Sequence, residues 1–318
     1  MLMSPPPFLE TRMKKDLLAI TDLNPRDIEQ IFKRTAVIKK LQKRGRIYRP
    51  LKGKSLGMIF EKSSTRTRVS FEVGMHQLGG QALFLSSADL QMGRGETISD
   101  TAHTLSRFLD GIMIRTFAQE TVETLARVAS IPVINGLTDL HHPCQALADL
   151  FTLQEKKGKV KGLKLAFVGD GNNVANSLVQ ACAKTGTHFS IASPEGYMLD
   201  ADILAEAQRD AARTKSRITL TGDPFEAVTD ADAVYTDVWA SMGQESERAG
   251  RIRAFQGFQV NARLMKVAKK GAIFMHCLHA HRDEEVTGEV IDGPQSVVFD
   301  EAENRMHVQK AILELLLG

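Results

Sequence analysis

The sequence predicts an α/β protein of two domains, each a parallel sheet flanked by helices. Three observations carry that expectation. The chain has 318 residues, and at roughly 150 residues per domain that length suggests two. Short apolar runs of strand length alternate with amphipathic runs of helix length. After a turn-rich basic break at KKGKVKG (156–162), the alternation starts again.

The first helix is expected from Pro25 to Gly45. Asn24 suits its N-cap, Pro25 its first position and Gly45 its stop, with Ile28, Ile31, Phe32, Ala36 and Ile38 at helical spacing. SLGMIF (55–60) reads as a buried strand, followed by a helix over 65–78 that Gly79-Gly80 closes. The pattern continues with a strand at 82–85, a helix at 99–108, a strand at 111–115, a helix at 121–129 and a strand at 132–135. A longer helix covers 144–157, and the boundary between domains falls near residue 150 within it. Strands are then expected in LKLAFV, at 188–193, 217–221, 233–238 and 272–278, with helices between them. Glu301 to Leu317 reads as a final helix.

Composition narrows the class of function. Lys+Arg (41) barely exceeds Asp+Glu (38), a net +3 with no basic stripe, so a nucleic-acid partner is not expected. Charged and hydrophobic shares of 25% and 43% are those of a globular chain rather than a disordered or collagenous one. Cys144, Cys182 and Cys277 form an odd set without a CxxC pair, which fits a reducing compartment and no zinc cage. No apolar run approaches the ~20 residues that span a bilayer. The opening MLMSPPPFLE lacks the pattern of a secretory signal. The expectation is a soluble cytoplasmic protein without a membrane partner.

Five segments carry candidate chemistry. Ser64, Thr65, Arg66, Thr67 and Arg68 lie between a strand and a helix, just after Lys62. Hydroxyls, guanidinium groups and a helix N-terminus together suit a phosphate or carboxylate, whereas one capping Ser with solvated arginines would be unremarkable. No Walker pattern is present, so a nucleoside triphosphate is not the natural ligand. In HHPCQ, Pro143 starts a helix and brings His142 near Gln145, a pair able to read a carbonyl oxygen and an amino group. A metal on His141, His142 and Cys144 is disfavoured by diverging neighbours and the lack of a fourth ligand.

AVYTDV ends on Asp237, a carboxylate able to hold a cationic amine or to cap a helix. His276-Cys277-Leu278-His279 follows a buried strand, and Cys277 is either a reactive thiol or a structural one. GDGNN (169–173) resembles half of a dinucleotide fingerprint. Its third glycine is missing, so hydrogen bonds from the two Asn to a small substrate are favoured over a nicotinamide cofactor.

Taken together, these motifs resemble the aspartate/ornithine carbamoyltransferase family over nearly the whole chain. They occur in the family's order: STRTR at 64–68, an Arg at 115, HPCQ at 142–145, GDGNN at 169–173, DVWASMGQE at 237–245, HCL at 276–278 and ENR at 303–305. The SMG element (241–243) matches the family members that use ornithine rather than aspartate. The resemblance implies transfer of the carbamoyl group of carbamoyl phosphate to the δ-amino group of L-ornithine, with no cofactor and no metal. Another amine, such as putrescine or an N-acylated ornithine, is the alternative acceptor.

It further implies that Ser64, Thr65, Arg66 and Thr67 bind the phosphate, and that Arg115 touches phosphate and the carbamoyl oxygen. His142 would bond that oxygen and Gln145 the carbamoyl amino group, with Cys277, the Leu278 carbonyl and Arg305 completing the carbamoyl phosphate pocket. Gln91 would reach a neighbouring subunit's site in a homotrimer with shared active sites. Asn173, Asp237, Ser241 and Met242 would bind ornithine, with Cys277 beside its reactive amine. Arg115, His142 and Cys277 are the implied catalytic residues. The implied domains are 1–148, joined by a returning C-terminal helix at 302–318, and 149–301. One departure stands out: the family continues HCLP, and here His279 replaces the Pro. The Leu278–His279 peptide therefore either keeps the cis form that such a Pro takes, or is trans and displaces the Leu278 carbonyl.

Overall fold

A computed structural model describes residues 14–87, 90–92, 95–240, 243 and 245–318. The elements run α1 (Pro25–Lys43), β1 (Ser55–Phe60), α2 (Thr65–Gln77), β2 (Gln81–Ser86), α3 (Ile98–Phe108), β3 (Gly111–Arg115), α4 (Gln119–Val128), β4 (Val133–Leu137) and α5 (Pro143–Lys157). There follow β5 (Lys164–Val168), α6 (Asn173–Thr185), β6 (His188–Ala192), α7 (Ala201–Thr214), β7 (Ile218–Thr221), α8 (Pro224–Val228) and β8 (Ala233–Tyr235). The chain ends with α9 (Arg248–Ala254), α10 (Ala262–Met265), β9 (Ile273–Met275), α11 (Gly288–Ile291) and α12 (Val298–Leu317).

The strands form two parallel sheets, of order β2-β1-β3-β4 and β7-β6-β5-β8-β9. In each, the order reverses beside the strand that comes first in the chain, at β1/β3 and at β5/β8. Helices leaving neighbouring strands there pass to opposite faces, which opens a crevice at the strands' C-terminal ends. Those two crevices hold the segments singled out above.

Local signals account for the helix ends. Asn24 caps α1 by accepting from the amides of Arg26 and Asp27, and Asp27 returns a bond to the Asn24 amide. Ser64 caps α2 through the Thr67 amide. Pro143 opens α5, and Gly158, at φ 77°, closes it in the left-handed region.

The core has three parts. Two cover the outer faces, one on each sheet. The third is continuous from α1 through α5 and α12 to both sheets. Helix α12 packs on α1, α2 and α5, so the chain's end returns to the first sheet. Its fully buried Val308, Ala311, Ile312 and Leu313 weld it there.

Several strands are shorter than expected; LKLAFV begins at Lys164 and 188–193 ends at Ala192. The segment 233–238 is strand only to Tyr235; beyond it the Thr236 amide still donates to the Met275 carbonyl at 3.3 Å and its hydroxyl donates to the Val168 carbonyl at 2.6 Å. The segment 272–278 pairs only over 273–275, and 217–221 begins pairing at Ile218.

Candidate active site

A cavity of about 700 Å³ lies between the two sheets. Ser64, Thr65 and Arg66 line it from the start of α2, and Arg115 from the end of β3. His142 and Gln145 come from the start of α5, Asn173 from α6, Asp237 from beyond β8, Cys277 and Leu278 from beyond β9, and Arg305 from α12. Segments separated by up to 241 residues, from Ser64 to Arg305, thus meet at one place.

The phosphate-type end is strongly cationic. Burial and the neighbouring Arg305 lower the Arg115 guanidinium to about 10, and they lower Arg66 as well. Arg115 remains charged at neutral pH. The Nε atoms of Arg66, Arg115 and Arg305 are buried with no protein partner, so three charged donors stand ready for an anion. Arg66 Nη2 does bond the Leu278 carbonyl, at 2.5 Å, tying α2 to the loop beyond β9. That loop contains a cis Leu278–His279 peptide, the first of the two alternatives above. His279 is exposed at the cavity rim.

Thr67 is fully buried and stands behind the cavity wall rather than in it. Its hydroxyl accepts from Arg305 Nη2 at 2.9 Å and from Ser64 Oγ at 3.1 Å, so it positions two lining residues. His142 is buried, and burial together with Arg305 and Arg115 depresses its imidazole well below the ordinary value. It is a neutral ring at physiological pH, able to donate one hydrogen bond without adding charge.

Gln145 is held by a network that its sequence motif did not reveal. Its Nε2 donates to Asp149 Oδ1 at 2.7 Å and to Glu301 Oε1 at 3.3 Å, while its Oε1 is buried and free. Glu301 also accepts from the His276 amide at 3.0 Å and the Tyr235 hydroxyl at 3.3 Å. Asp149 and Glu301 are fully buried. Burial raises Asp149 to about 7, and burial with repulsion from Asp149 raises Glu301 well above the ordinary carboxylate range, so the pair keeps a proton at neutral pH. Because the amide's donors face the acids, its oxygen is the end left for a ligand. A ligand amino group suits that acceptor. The one sequence hint was a lone Asp four residues after Gln145 in an otherwise apolar helical run.

At the other end, Asp237 is 7% exposed and accepts from Asn172 Nδ2 at 2.9 Å, its neighbour's amide at 2.8 Å and Cys277 Sγ at 3.2 Å. Burial and Asp237 push the Cys277 thiol well above its ordinary value. Cys277 is therefore a neutral donor onto Asp237, with no thiolate available to act as a base. Asn172 caps α6 and steers Asp237, whereas Asn173 donates to the Thr138 carbonyl at 2.6 Å. Gly171 is required: a Cβ there would lie 2.4 Å from the Met198 carbonyl carbon.

Arg251 bridges Asp170 at 2.7 Å and the Trp239 carbonyl at 3.1 Å, bracing the wall beside Asp237. Lys62 pairs with Asp139 and sits 4.3 Å above the Phe117 ring. Sequence reasoning gave both Asn172 and Asn173 to the substrate, but the Asn172 side chain is used up by the α6 cap and Asp237; the motif gave Asp170 no role, and Arg251 was missed. Gln91 is exposed and is not a lining residue of this cavity. Ser241 and Met242 lie outside the described residues.

Two family matches cover the chain. Residues 15–155 match the carbamoyl-P binding domain of aspartate/ornithine carbamoyltransferase, and residues 161–316 match its Asp/Orn binding domain. The ornithine carbamoyltransferase of Syntrophus aciditrophicus is 58% identical over 305 residues, covering 96% of this chain and 100% of that one. That of Bacillus subtilis is 57% identical over 303 residues, covering 95% and 94%. Among solved structures, the ornithine carbamoyltransferase of Pyrococcus furiosus superposes with a TM-score of 0.93 at 54% identity, covering 95% of this chain and 97% of that one.

Proposed function

The chain belongs to the aspartate/ornithine carbamoyltransferase family, and from that premise we propose how its residues divide the work. The enzyme transfers the carbamoyl group of carbamoyl phosphate to the δ-amino group of L-ornithine, giving L-citrulline and phosphate. The observation that carries the assignment of roles is the polarity of the cleft. One end presents three guanidinium groups with unpaired donors, and the other a carboxylate bonded only to neutral groups.

In this reading Ser64, Thr65, Arg66 and Arg305 hold the phosphate, with Thr67 fixing Ser64 and Arg305. Arg115 spans the phosphate and the carbamoyl oxygen. Neutral His142 donates to that oxygen, and the free Oε1 of Gln145 accepts from the carbamoyl amino group. Asp237, with Asn173 beside it, binds ornithine, and Ser241 and Met242 complete that end. The neutral δ-amine attacks the carbamoyl carbon. Negative charge grows on the oxygen, where the donors of Arg115 and neutral His142 stabilise it. The C–O bond to phosphate then breaks, and the leaving group departs into the arginine cluster, taking up the proton that the attacking nitrogen gives up. Cys277 orients Asp237 and the amine as a neutral donor. Holding both substrates in one closed cleft supplies much of the acceleration.

The domain division follows the same reading: 1–148 with 302–318 for carbamoyl phosphate, and 149–301 for ornithine. A homotrimer fits the surface of the first sheet. Edge strand β2 and the outer face of α2 expose Leu83, Phe84, Val69 and Val73, an apolar face that suits a second copy. Gln91, exposed in the following loop, would then enter the neighbour's site. We place the enzyme in the cytoplasm, in arginine biosynthesis.

The test is product formation from carbamoyl phosphate with ornithine, putrescine, N-acetylornithine and aspartate. Citrulline formed rapidly from ornithine alone is the expected result. A preference for another amine would overturn the roles given to Asp237, Ser241 and Met242.

A further inference from the structure

A second cavity, of about 310 Å³, lies between the C-terminal ends of α1 and α2 and the middle of α12. Four basic side chains line it, Arg46, Arg49, His76 and Lys310, and among the described residues no carboxylate does. Lys310 is 3% exposed, so its charge is held out of solvent. Its ammonium donates to Gln42 Oε1 at 2.7 Å and Gln77 Oε1 at 2.8 Å, both neutral. An ammonium has three donors, and one remains for whatever enters the cavity. Arg46, Arg49 and His76 have no ion pair or side-chain hydrogen bond among the described residues. Glu314, bonded to the lining residue Tyr48, is already matched by Arg34. Burying a cation whose only partners are neutral amides is unfavourable unless a counter-charge arrives.

We propose that this cavity is a second anion site, distinct from the catalytic cleft, that takes a compact multivalent oxyanion such as a phosphate ester or a polycarboxylate. Lys310 is its buried anchor, and Arg46 and Arg49 are its outer arms. Leu41 and Leu78 give it an apolar flank that favours an organic anion over a bare inorganic one. The site is wired to the catalytic cleft by two helices. Helix α2 starts at the Ser64–Arg66 corner and ends at His76 and Gln77. Helix α12 carries Arg305 into one cavity and Lys310 into the other, five residues or about 7.5 Å further along its axis. An anion that tightens these helix ends alters carbamoyl phosphate affinity, and carbamoyl phosphate alters the anion's affinity by the same factor.

The experiment is isothermal titration of the full-length protein with inorganic pyrophosphate, with and without saturating carbamoyl phosphate. Two sites per chain are expected without carbamoyl phosphate and one with it. In Arg46→Ser/Arg49→Ser the remaining site weakens at least tenfold, while the turnover number measured without added anion is unchanged. Lys310→Met removes the site. Should that variant fail to fold, the surface double variant alone decides the matter. Parallel titrations with citrate and glucose 6-phosphate separate a polycarboxylate from a phosphate-ester ligand. A single pyrophosphate site that carbamoyl phosphate abolishes would overturn the proposal, as would a residual site indifferent to all three basic residues. Failure of carbamoyl phosphate to displace either site would count instead against the catalytic assignment.

Discussion

Asp149→Asn probes how the enzyme fixes the direction of one amide. In the wild type, the 2.7 Å bond from Gln145 Nε2 to the Asp149 carboxylate turns the Gln145 oxygen toward the cleft. An asparagine has nearly the same shape but can present either end of its amide. A hydrogen bond to a charged group is worth about 1.5–3 kcal/mol and a neutral one about 0.5–1.5. The bias toward the productive orientation thus drops by roughly 1–1.5 kcal/mol, about tenfold in population. The expected result is a five- to tenfold rise in KM for carbamoyl phosphate, with kcat and the KM for ornithine nearly unchanged, because ground-state and transition-state contacts to the amino group are lost together. The pH profile supplies a second readout. Asp149 titrates at about 7, so the acceptor weakens as pH falls below that value and wild-type KM rises, whereas the variant's KM stays flat. Steady-state kinetics with each substrate varied between pH 6 and 8.5 measures both. An unchanged KM, or an equal rise for both substrates, would refute the orienting role of the acid pair.

Other consequences follow from the same geometry. Asp237→Asn removes the carboxylate at the ornithine end that no protein cation neutralises, Asp170 being paired with Arg251, and loss of a buried charged contact of about 2–3 kcal/mol should raise the ornithine KM about 30- to 150-fold while carbamoyl phosphate binding persists. His142 has a folded-state pKa depressed below its unfolded value by burial and two arginines. The unfolded chain therefore binds the extra proton first, and this residue's contribution to stability is lost as pH falls through about 6.5. His142→Gln should accordingly gain stability relative to wild type between pH 7 and pH 5 in urea titrations, and a constant difference would contradict the burial argument. Phe84→Glu places a charge on the apolar face of β2, and sedimentation should show dissociation to monomers with activity lost in parallel. A variant that stays associated would move the interface elsewhere.

Strand and helix order was legible in the sequence because each element carries its own periodicity and caps. Asn24-Pro25, Ser64 and Pro143 stand at the helix starts, and glycines stand at several of the ends. The chemistry of the site was legible where charged and polar residues cluster along the chain, as at 64–68 and 169–173. Residues whose role depends on partners far away in sequence were not. Asp149 meets Glu301 across 152 positions, and Arg251 meets Asp170 across 81.

By itself, then, the sequence determined the alternation of strands and helices, the anion-binding turn and the family pattern, all of which rest on neighbours within a few residues. Only the tertiary structure decided which end of Gln145 faces the cleft, that Cys277 stays a neutral donor, and that Lys310 is a buried cation held by two neutral amides. Those outcomes depend on burial and on the field of groups brought together by folding. Both desolvation and Coulomb interaction act through space, and no local reading of residue order contains them.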